Sequence, residues 1–301
     1  MISVVKRSPL FYIGDKYKLL KQLLPLFPQN INNFYEPFTG GGSVFLNILA
    51  KKYILNDLSK HLISIHQFLN DNANDGKKIL DNVYKIAIRY NLSRSFREDV
   101  VPQNLKNEYK KTYYAQFNKK GYDKLRALVN ENKENNPLIL YLLVIYGFNR
   151  MLRFNGGGKF NLSVGNVDFN KNVEKALLNY FSFVKDKNIV FATIDFEDFI
   201  KSHKFTKDDF VYLDPPYLIA GAEYNKYWGE DSEKRLLNML DLLNKKNVKF
   251  ALSNITHYKK QKNNLLINWK KQYNSHIVGS HYFNYHNNGK KDIKEVLITN
   301  Y

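Results

Sequence analysis

The chain has 301 residues and a formal net charge of +18, from 46 Lys and Arg against 28 Asp and Glu. Its hydrophobic fraction of 44% supplies enough apolar surface for a buried core, which excludes an intrinsically disordered or low-complexity protein. The absence of cysteine from the sequence excludes a disulfide scaffold, a thiolate metal site and a cysteine nucleophile, and makes a reducing compartment the default.

The apolar runs of the sequence are short. The longest, such as 138–147, are far below the ~20 residues of a membrane helix, and residues 1–9 lack the apolar stretch of a signal peptide. We therefore expect a cytoplasmic protein without a membrane partner. The positive charge favours a polyanionic partner, although 38 of the 46 cations are lysines, which a biased base composition would also produce.

Strand and helix patterns alternate in two stretches of the chain. In the first, a strand over 33–36 is followed by a glycine-rich turn, a helix over 43–50 and a strand over 53–56. The second has strand patterns at 189–193, 210–213, 248–253 and 295–299, with helices over 232–244 and 264–273. Such alternation predicts an α/β fold with a doubly wound, mostly parallel sheet that is covered on both faces.

The middle of the chain has a different character. Residues from about 80 to 170 show helical periodicity and then a glycine run, 156–158, which is incompatible with regular structure. We interpret this part as an insertion. The predicted domains are therefore 1–68 together with 171–301, and an inserted domain at 69–170 with a hairpin around 148–165.

The turn from Glu36 to Gly42 and the later Asp57 form the first candidate site. Glycines such as Gly40 and Gly42 let a backbone approach a ligand, and a following helix would present free N–H groups. Asp57 comes 21 residues after Glu36, at the end of the next strand, where α/β sheets hold ribose hydroxyls. An ordinary tight turn, with Asp57 as the N-cap of a helix from Leu58, is the alternative. Together the two features indicate an adenosine-containing ligand.

The tetrapeptide Asp214-Pro215-Pro216-Tyr217 directly follows a buried-strand pattern. Consecutive prolines leave carbonyl acceptors on a rigid turn, beside a carboxylate and an aromatic ring. Such a site accepts hydrogen bonds from an amine and stacks a planar base. Two acceptors can draw the lone pair of an exocyclic amine out of conjugation and aim it at an electrophile. The alternative is a rigid turn that ends the strand.

With these motifs in this order, the sequence resembles the Dam-type (D12 class) N6-adenine DNA methyltransferases of bacteria and phages over nearly the whole chain. Residues 210–269 look especially similar to the phage branch. The resemblance implies a Rossmann-like class I methyltransferase with an inserted, largely helical DNA-recognition domain at 69–170. It also implies methyl transfer from S-adenosyl-L-methionine to N6 of a flipped adenine in double-stranded DNA, at GATC or a longer site that contains it.

The resemblance also implies a role for each matching position. The catalytic residues are Asp214, Pro215, Pro216 and Tyr217. The cofactor-binding residues are Tyr12, Lys16, Glu36, Phe38, Gly40, Gly42, Asp57, Asp195, Phe196 and Asp214. The DNA-recognition residues are Phe148, Asn149, Met151, Arg153 and Tyr224.

Among the DNA-recognition residues, Arg153 would bond a guanine bidentately and Met151 would touch a thymine methyl group. Phe148 and Asn149 would fill the gap left by the flipped base. Two positions depart from the family pattern: Ser163 stands where proline is usual, and Asp15 where glycine or asparagine is usual. The first departure puts one apolar base contact, and hence the GATC site, in doubt.

Other functions fit the sequence less well. The seven histidines have no H-E-x-x-H or comparable spacing, so we expect no metal. The missing G-x-G-x-x-G argues against a nicotinamide oxidoreductase. Methylation of RNA or of cytosine N4, and a DNA-binding regulator without catalysis, stay as alternatives. The sequence leaves open whether a cognate restriction endonuclease accompanies the protein.

Overall fold

The computed structural model describes residues 5–131, 136–220, 228–279 and 293–301. The chain divides into two compact units. One, here called the helical unit, consists of residues 1–15, 40–46 and 59–186; the other, the sheet unit, consists of residues 16–39, 47–58 and 187–301. The roles and boundaries predicted for the two domains stay predictions.

All the named strands belong to the sheet unit. They are β1 (Ile31–Glu36), β2 (Ala50–Asn56), β3 (Asn188–Ala192), β4 (Phe210–Leu213), β5 (Lys249–Tyr258), β6 (Gln261–Lys262), β7 (Asn274–Val278) and β8 (Ile293–Thr299). The α-helices are α1 (Leu20–Leu23), α2 (Lys60–Asp71), α3 (Gly76–Arg89), α4 (Gln103–Glu108), α5 (Tyr113–Glu131), α6 (Pro137–Tyr146), α7 (Lys171–Val184), α8 (Phe196–Lys201), α9 (Glu230–Lys245) and α10 (Asn264–Trp269). Helices α2–α7 belong to the helical unit and the others to the sheet unit.

The strand order of the sheet is β3-β2-β1-β4-β5-β8-β7, with β6 paired to β5. Strands β1 to β5 pair in parallel, whereas β8 runs antiparallel to both of its neighbours. The chain moves outward from β1 to β3 and then returns to β4 on the other side of β1. This reversal creates a switch point between β1 and β4, where ligands bind in sheets of this kind. The predicted fold class, a Rossmann-like sheet of the class I methyltransferase type, is confirmed.

The four residues of β4 show why the central strands are apolar throughout. Phe210 and Tyr212 pack against Phe27, with ring centroids 5.2 and 5.3 Å away. Val211 and Leu213 alternate with them and join a core cluster that includes residues of α8, α9 and α10. Because successive side chains point to opposite faces, a strand that is covered on both sides needs an uninterrupted apolar run.

Helix α6 forms the centre of the helical unit. Eight of its ten residues are buried, so it has no polar face. Asn136 caps its N-terminus by accepting hydrogen bonds from Leu138 and Ile139, and Pro137 occupies the first turn, where its missing N–H costs nothing. Among the helices that the structure describes, none is both long and apolar enough to cross a bilayer.

The helix predicted over 43–50 is wrong. Those residues form only a single 3₁₀ turn, Phe45–Asn47, before β2 begins. The sheet decides this, because Ile31 at the start of β1 pairs with Ala50, which must therefore be extended. The crossover is too short for an α-helix of ordinary length. No α-helix therefore begins after the glycine turn, so the expected free N–H groups of a helix N-terminus are absent from residues 43–50.

Candidate active site

The carboxyl ends of the parallel strands carry four of the predicted site residues. Glu36 ends β1, and Asp214 directly follows β4, its neighbour across the switch point. Asp57 directly follows β2, and Asp195 lies three residues beyond β3. Parallel pairing brings these positions to one edge of the sheet unit, where such folds bind their ligands.

Asn56 organises this edge, although it is not among the predicted site residues. Its side-chain amide donates to the carbonyls of Pro37 and Ile194, both at 3.0 Å, and its Oδ1 accepts from the Ile194 N–H at 3.0 Å. One buried amide therefore joins the segments that follow β1 and β3 to the end of β2. In the pair Asn56-Asp57, Asn56 is buried and holds the structure, whereas Asp57 is half-buried.

Asp57 does not cap the following helix. The N-cap of α2 is Ser59, whose side chain accepts from the Leu62 N–H, and α2 starts at Lys60 rather than near Leu58. The structural alternative for Asp57 is therefore wrong. A carboxylate at the end of β2 that does not cap a helix suits the predicted ribose contact.

Aromatic rings cluster beside the same edge. Phe38, Phe196 and Trp228 have centroids 5.4–5.6 Å apart in every pair. Phe196 is only 5% exposed, so the half-buried Phe38 and Trp228 present more of their surface to a ligand. Trp228 is not among the predicted residues, because no sequence motif surrounds it.

Asp195 has a clear structural role at this edge. It caps α8 by accepting from the Glu197 N–H at 2.9 Å, and it pairs with the Arg235 guanidinium at 2.5 Å. The Arg235 guanidinium also lies 5.0 Å from the centroid of Phe196. Asp195 thus supports the aromatic cluster; its predicted contact with the cofactor stays a prediction.

Lys16, Asp214 and Tyr217, all predicted site residues, meet in the sheet unit. Lys16 Nζ lies 2.6 Å from Asp214 Oδ2, and the Tyr217 hydroxyl donates to Asp214 Oδ1 at 3.2 Å. The Lys16 ammonium also lies 5.1 Å from the centroid of the Tyr217 ring. The Asp214 side chain is 18% exposed and Lys16 only 8%. Asp214 is therefore held in a fixed position while part of it stays accessible.

Glu295 completes this network and is not among the predicted site residues. Its Oε1 lies 3.0 Å from the Tyr217 hydroxyl, which shares its single proton between Glu295 and Asp214, and 3.9 Å from Lys16 Nζ. Because β8 is antiparallel, its beginning lies at the carboxyl edge of the parallel strands. An acidic residue in an otherwise apolar strand pattern is the feature by which the sequence could have revealed it.

Glu295→Gln is expected to change how stability depends on pH. Burial is the main cause that raises the pKa of Glu295 above 4.5; Asp214 adds to this and Lys16 opposes it. The folded state therefore retains this proton to a higher pH than the unfolded chain, so the wild-type free energy of unfolding falls as pH rises above 4.5 through the raised pKa. Glutamine does not titrate, so the stability of the variant relative to wild type should increase over this window.

Urea unfolding in half-unit pH steps across that window measures the effect. Glu233→Gln is the control, because burial also raises the pKa of Glu233, which accepts from Trp228, Asn254 and Asn263 instead of Tyr217. Both variants should show the pH trend, because each removes a buried carboxyl group whose pKa is raised. A stability difference from wild type that stays constant with pH would contradict the expectation for Glu295.

The glycines of the turn, Gly40 to Gly42, lie in the helical unit. The amino-terminal segment of that unit packs against them. A Cβ atom on Gly41 would lie 2.8 Å from the Cβ of Tyr12, so Tyr12 contacts the turn as closely as a glycine permits. Ser8 Oγ donates to the carbonyl of Gly41. His66, fully buried on α2, has its Nε2 3.0 Å from the Gly40 carbonyl oxygen. Burial lowers the pKa of His66 to about 4, so the ring is neutral near pH 7.

Gly42→Ala is expected to destabilise the protein by about 2–5 kcal/mol. Gly42 has φ +78°, and an added Cβ would lie 2.4 Å from Phe45 Cε1 and 2.9 Å from His66 Cε1. Gly40→Ala is the matched control, since φ is +50° there but a Cβ would meet nothing within 4 Å. That variant should lose only about 1–2 kcal/mol, from backbone strain alone. Equal losses in chemical denaturation would show that the Phe45 and His66 contacts relax freely.

The segment predicted as a hairpin around 148–165 contains two isolated antiparallel bridges, Gly147–Val164 and Phe154–Phe160. A turn at 155–159 connects the two residues of the second bridge. At its base, Phe148 is 52% exposed. Asn149 is exposed and left-handed, with φ +51°, while Met151 is half-buried. The exposed ring agrees with a role outside the core.

Arg153 lies within the hairpin and binds its opposite strand. Its Nε donates to Asn161 Oδ1 and its Nη2 to the Asn161 carbonyl, both at 3.0 Å. These two bonds attach the Arg153 side chain to the opposite strand of the hairpin. Tyr224, the remaining predicted DNA contact, lies outside the described residues.

The donor set at the sheet edge suits an adenosine-containing cofactor better than a metal ion. Glu36 and Asp57 can accept from hydroxyl groups, and Phe38 can stack on a planar base. The described residues contain no group of three or more His, Asp or Glu side chains placed to hold a metal ion. The expectation that the protein uses no metal stays a prediction.

Comparison with known proteins decides which family this site belongs to. The family model for D12 class N6 adenine-specific DNA methyltransferases matches residues 12–291. The chain belongs to this family. The predicted family is confirmed, and S-adenosylmethionine is the methyl donor of this family as a whole.

Relatives of this methyltransferase chain include enzymes of restriction–modification type. Modification methylase StsI of Streptococcus sanguinis is 36% identical over 306 residues, covering 98% of this chain and 43% of that protein. Type II methyltransferase M.FokI of Planomicrobium okeanokoites is 34% identical over 304 residues, with the same coverage. DNA adenine methylase of Haemophilus influenzae is 30% identical over 226 residues, covering 73% of this chain and 68% of that protein. The chain thus spans less than half the length of the first two relatives.

Proposed function

We propose that the chain is a site-specific DNA adenine methyltransferase that transfers a methyl group from S-adenosylmethionine to adenine N6. The observation that carries this is the fixed position of Asp214 at the switch point, between Lys16 at 2.6 Å and the Tyr217 hydroxyl at 3.2 Å. The family relationship gives the reaction class, and this geometry supports a working amine-acceptor site.

On this proposal, residues at the sheet edge hold the cofactor. Asp57 accepts from the ribose hydroxyls, Glu36 lies at the end of the adjacent strand, and Phe38 packs against the adenosine portion. The remaining predicted contacts, Tyr12, Lys16, Gly40, Gly42, Asp195 and Phe196, keep the roles that the resemblance implies. When bound, the cofactor supplies a methyl group already activated by its sulfonium.

Asp214 and the Pro215 carbonyl accept hydrogen bonds from the target N6 amine. A carboxylate oxygen has more than one acceptor site, so Asp214 can bind the amine while it stays bonded to Lys16 and Tyr217. These acceptors turn the nitrogen lone pair toward the methyl group, and Tyr217 stacks on the flipped base. The hydroxyl bonds of Tyr217 fix the plane of its ring, which is a form of preorganisation.

The hairpin supplies sequence reading, with Arg153 as the guanine-reading residue. Its attachment to Asn161 limits the positions that the guanidinium can take, which favours a bidentate contact. We propose GATC, or a longer site that contains it, as the target. A restriction endonuclease with the same target is a proposed partner, in line with the names of the StsI and M.FokI relatives.

The deciding experiment is expression in a bacterial host that lacks adenine methylation, followed by single-molecule sequencing of its DNA. The proposal predicts N6-methyladenine at one motif, and its absence when Asp214→Ala is expressed at the same level. Methylation at a motif without GATC would keep the reaction and reject the target. No methylated DNA from a folded protein that binds S-adenosylmethionine would reject DNA adenine as the substrate and direct attention to RNA or cytosine N4.

A further inference from the structure

Two short segments of the helical unit share an unusual backbone. In the first segment Phe11 has φ +48°. In the second, the consecutive residues Asn149 and Arg150 have φ +51° and +52°. Left-handed backbone costs roughly 1–2 kcal/mol for a residue with a Cβ atom, and asparagine tolerates it better than phenylalanine or arginine. Such strain persists only where the surroundings impose it, and it clusters at ligand sites.

Side chains from the same two segments meet. The guanidinium carbons of Arg7 and Arg150 lie 4.1 and 4.4 Å from the centroid of the Phe11 ring. We call these three residues the arginine clamp. The ring attracts each cation, but the arrangement also holds two like charges close together. Burial, and next the charge of Arg7, lower the pKa of Arg150.

The charge of Arg150 is not neutralised by direct contact with an acid. Within the described part of the chain, its side chain forms no hydrogen bond or ion pair; its close contact is the Phe11 ring. Asp15, Asp168 and Tyr141 favour its charged form only through longer-range electrostatics. In the sequence, no Asp or Glu occurs between Glu134 and Asp168. Arg150 therefore carries a half-buried positive charge that no described acid contacts directly, at a cost to stability.

We propose that the arginine clamp binds one phosphodiester group of the DNA substrate. A phosphate offers several acceptor oxygens, which suits two guanidinium groups held on one ring. The clamp adjoins the exposed Phe148 and Asn149 at the base of the recognition hairpin, so a bound duplex would reach it. This inference rests on the proposed function. It assigns Arg150 to positioning the DNA, whereas Arg153 reads sequence.

The test is a phosphate scan combined with protein variants. Duplexes carrying the target site have one phosphate at a time replaced by an uncharged methylphosphonate, and equilibrium binding is measured for the wild-type chain and for Arg150→Ala. Replacing one particular phosphate should weaken DNA binding by wild type roughly tenfold. The same replacement should not weaken binding by Arg150→Ala any further. The slope of log K against log salt should also fall by about one for Arg150→Ala.

Two further variants exclude trivial explanations. Arg89→Ala removes an exposed arginine, 5.7 Å from the Tyr90 ring centroid in the same unit, and should leave the phosphate scan unchanged. Arg150→Gln keeps most of the side-chain length but not the charge, so it should reproduce the Arg150→Ala result even if the alanine variant folds poorly.

Several outcomes would overturn the inference. One is an Arg150→Gln scan identical to that of wild type. A second is a loss of base discrimination instead of a uniform loss of affinity, and a third is weaker S-adenosylmethionine binding with DNA binding intact. The proposed function fails separately, because wild type would then neither methylate DNA nor prefer the target duplex.

Discussion

Asp214→Ala is expected to lower the rate of methyl transfer by roughly 10²–10³-fold or more, while S-adenosylmethionine still binds. The variant loses the carboxylate that accepts from the target amine, so the N6 lone pair stays conjugated with the purine. It also leaves the buried Lys16 ammonium with Glu295, 3.9 Å away, as its nearest acid in the site. Single-turnover methylation of a labelled duplex, with calorimetry for cofactor binding, measures both properties.

Asp209→Asn is the matched control for Asp214. Asp209 directly precedes β4, whereas Asp214 directly follows it. Asp209 is fully buried and its carboxylate accepts hydrogen bonds from Asn33 and Thr206. Its substitution should cost stability but leave the single-turnover rate of the folded protein unchanged. Normal turnover by Asp214→Ala would refute the assignment of the catalytic acceptor, because the reaction would then not need this carboxylate.

Arg153→Ala is expected to reduce discrimination between the target and single-base variants by about 1–3 kcal/mol, roughly 5- to 150-fold in kcat/KM ratios. General affinity for DNA should fall much less, because one bidentate base contact is lost while the phosphate contacts remain. The measurement is kcat/KM on a panel of duplexes that differ by one base pair within the site. The effect should be concentrated at a single guanine position.

Two variants separate base reading from support of the hairpin. Arg153→Lys keeps the charge without the planar fork, so it should lose most of the discrimination. Arg126→Ala removes a neighbouring arginine that pairs with Asp123 at 3.0 Å and donates to the Leu162 carbonyl. It should affect stability only. Undiminished discrimination by Arg153→Ala would move guanine reading to another residue of the hairpin.

The local pattern of the sequence was sufficient to predict several elements. The apolar run 210–213 predicts a buried strand, and Asp214-Pro215-Pro216-Tyr217 after it predicts an amine-acceptor turn, because proline excludes continuation of a central strand. Helix α6 lies within residues 80–170, where the periodicity of the sequence predicts helices. The sheet class follows from the alternation of strands and helices, and strands β1 to β5 do pair in parallel.

Other features depended on contacts between residues far apart in the chain. The segment 43–50 has helical character locally, but pairing of Ile31 with Ala50 makes its end a strand. Asp57 could have capped a helix from Leu58, yet α2 begins two residues later, at Lys60, with Ser59 as its cap. In both cases the pairing of strands and the start of the next helix, which depend on the tertiary structure, outweigh a weak local preference for helix.

The sequence by itself therefore determined the family, the sheet class and the residues of the acceptor turn, since each depends on residues close together in the chain. Only the tertiary structure placed Glu295 beside Lys16 and Tyr217, and brought Arg7 and Arg150 onto Phe11. The physical reason for the first is that β8 is antiparallel to β5, so its beginning lies at the carboxyl ends of the parallel strands. The reason for the second is that packing brings together Phe11 and Arg150, which are 139 residues apart in the chain. Residue spacing along the chain encodes neither.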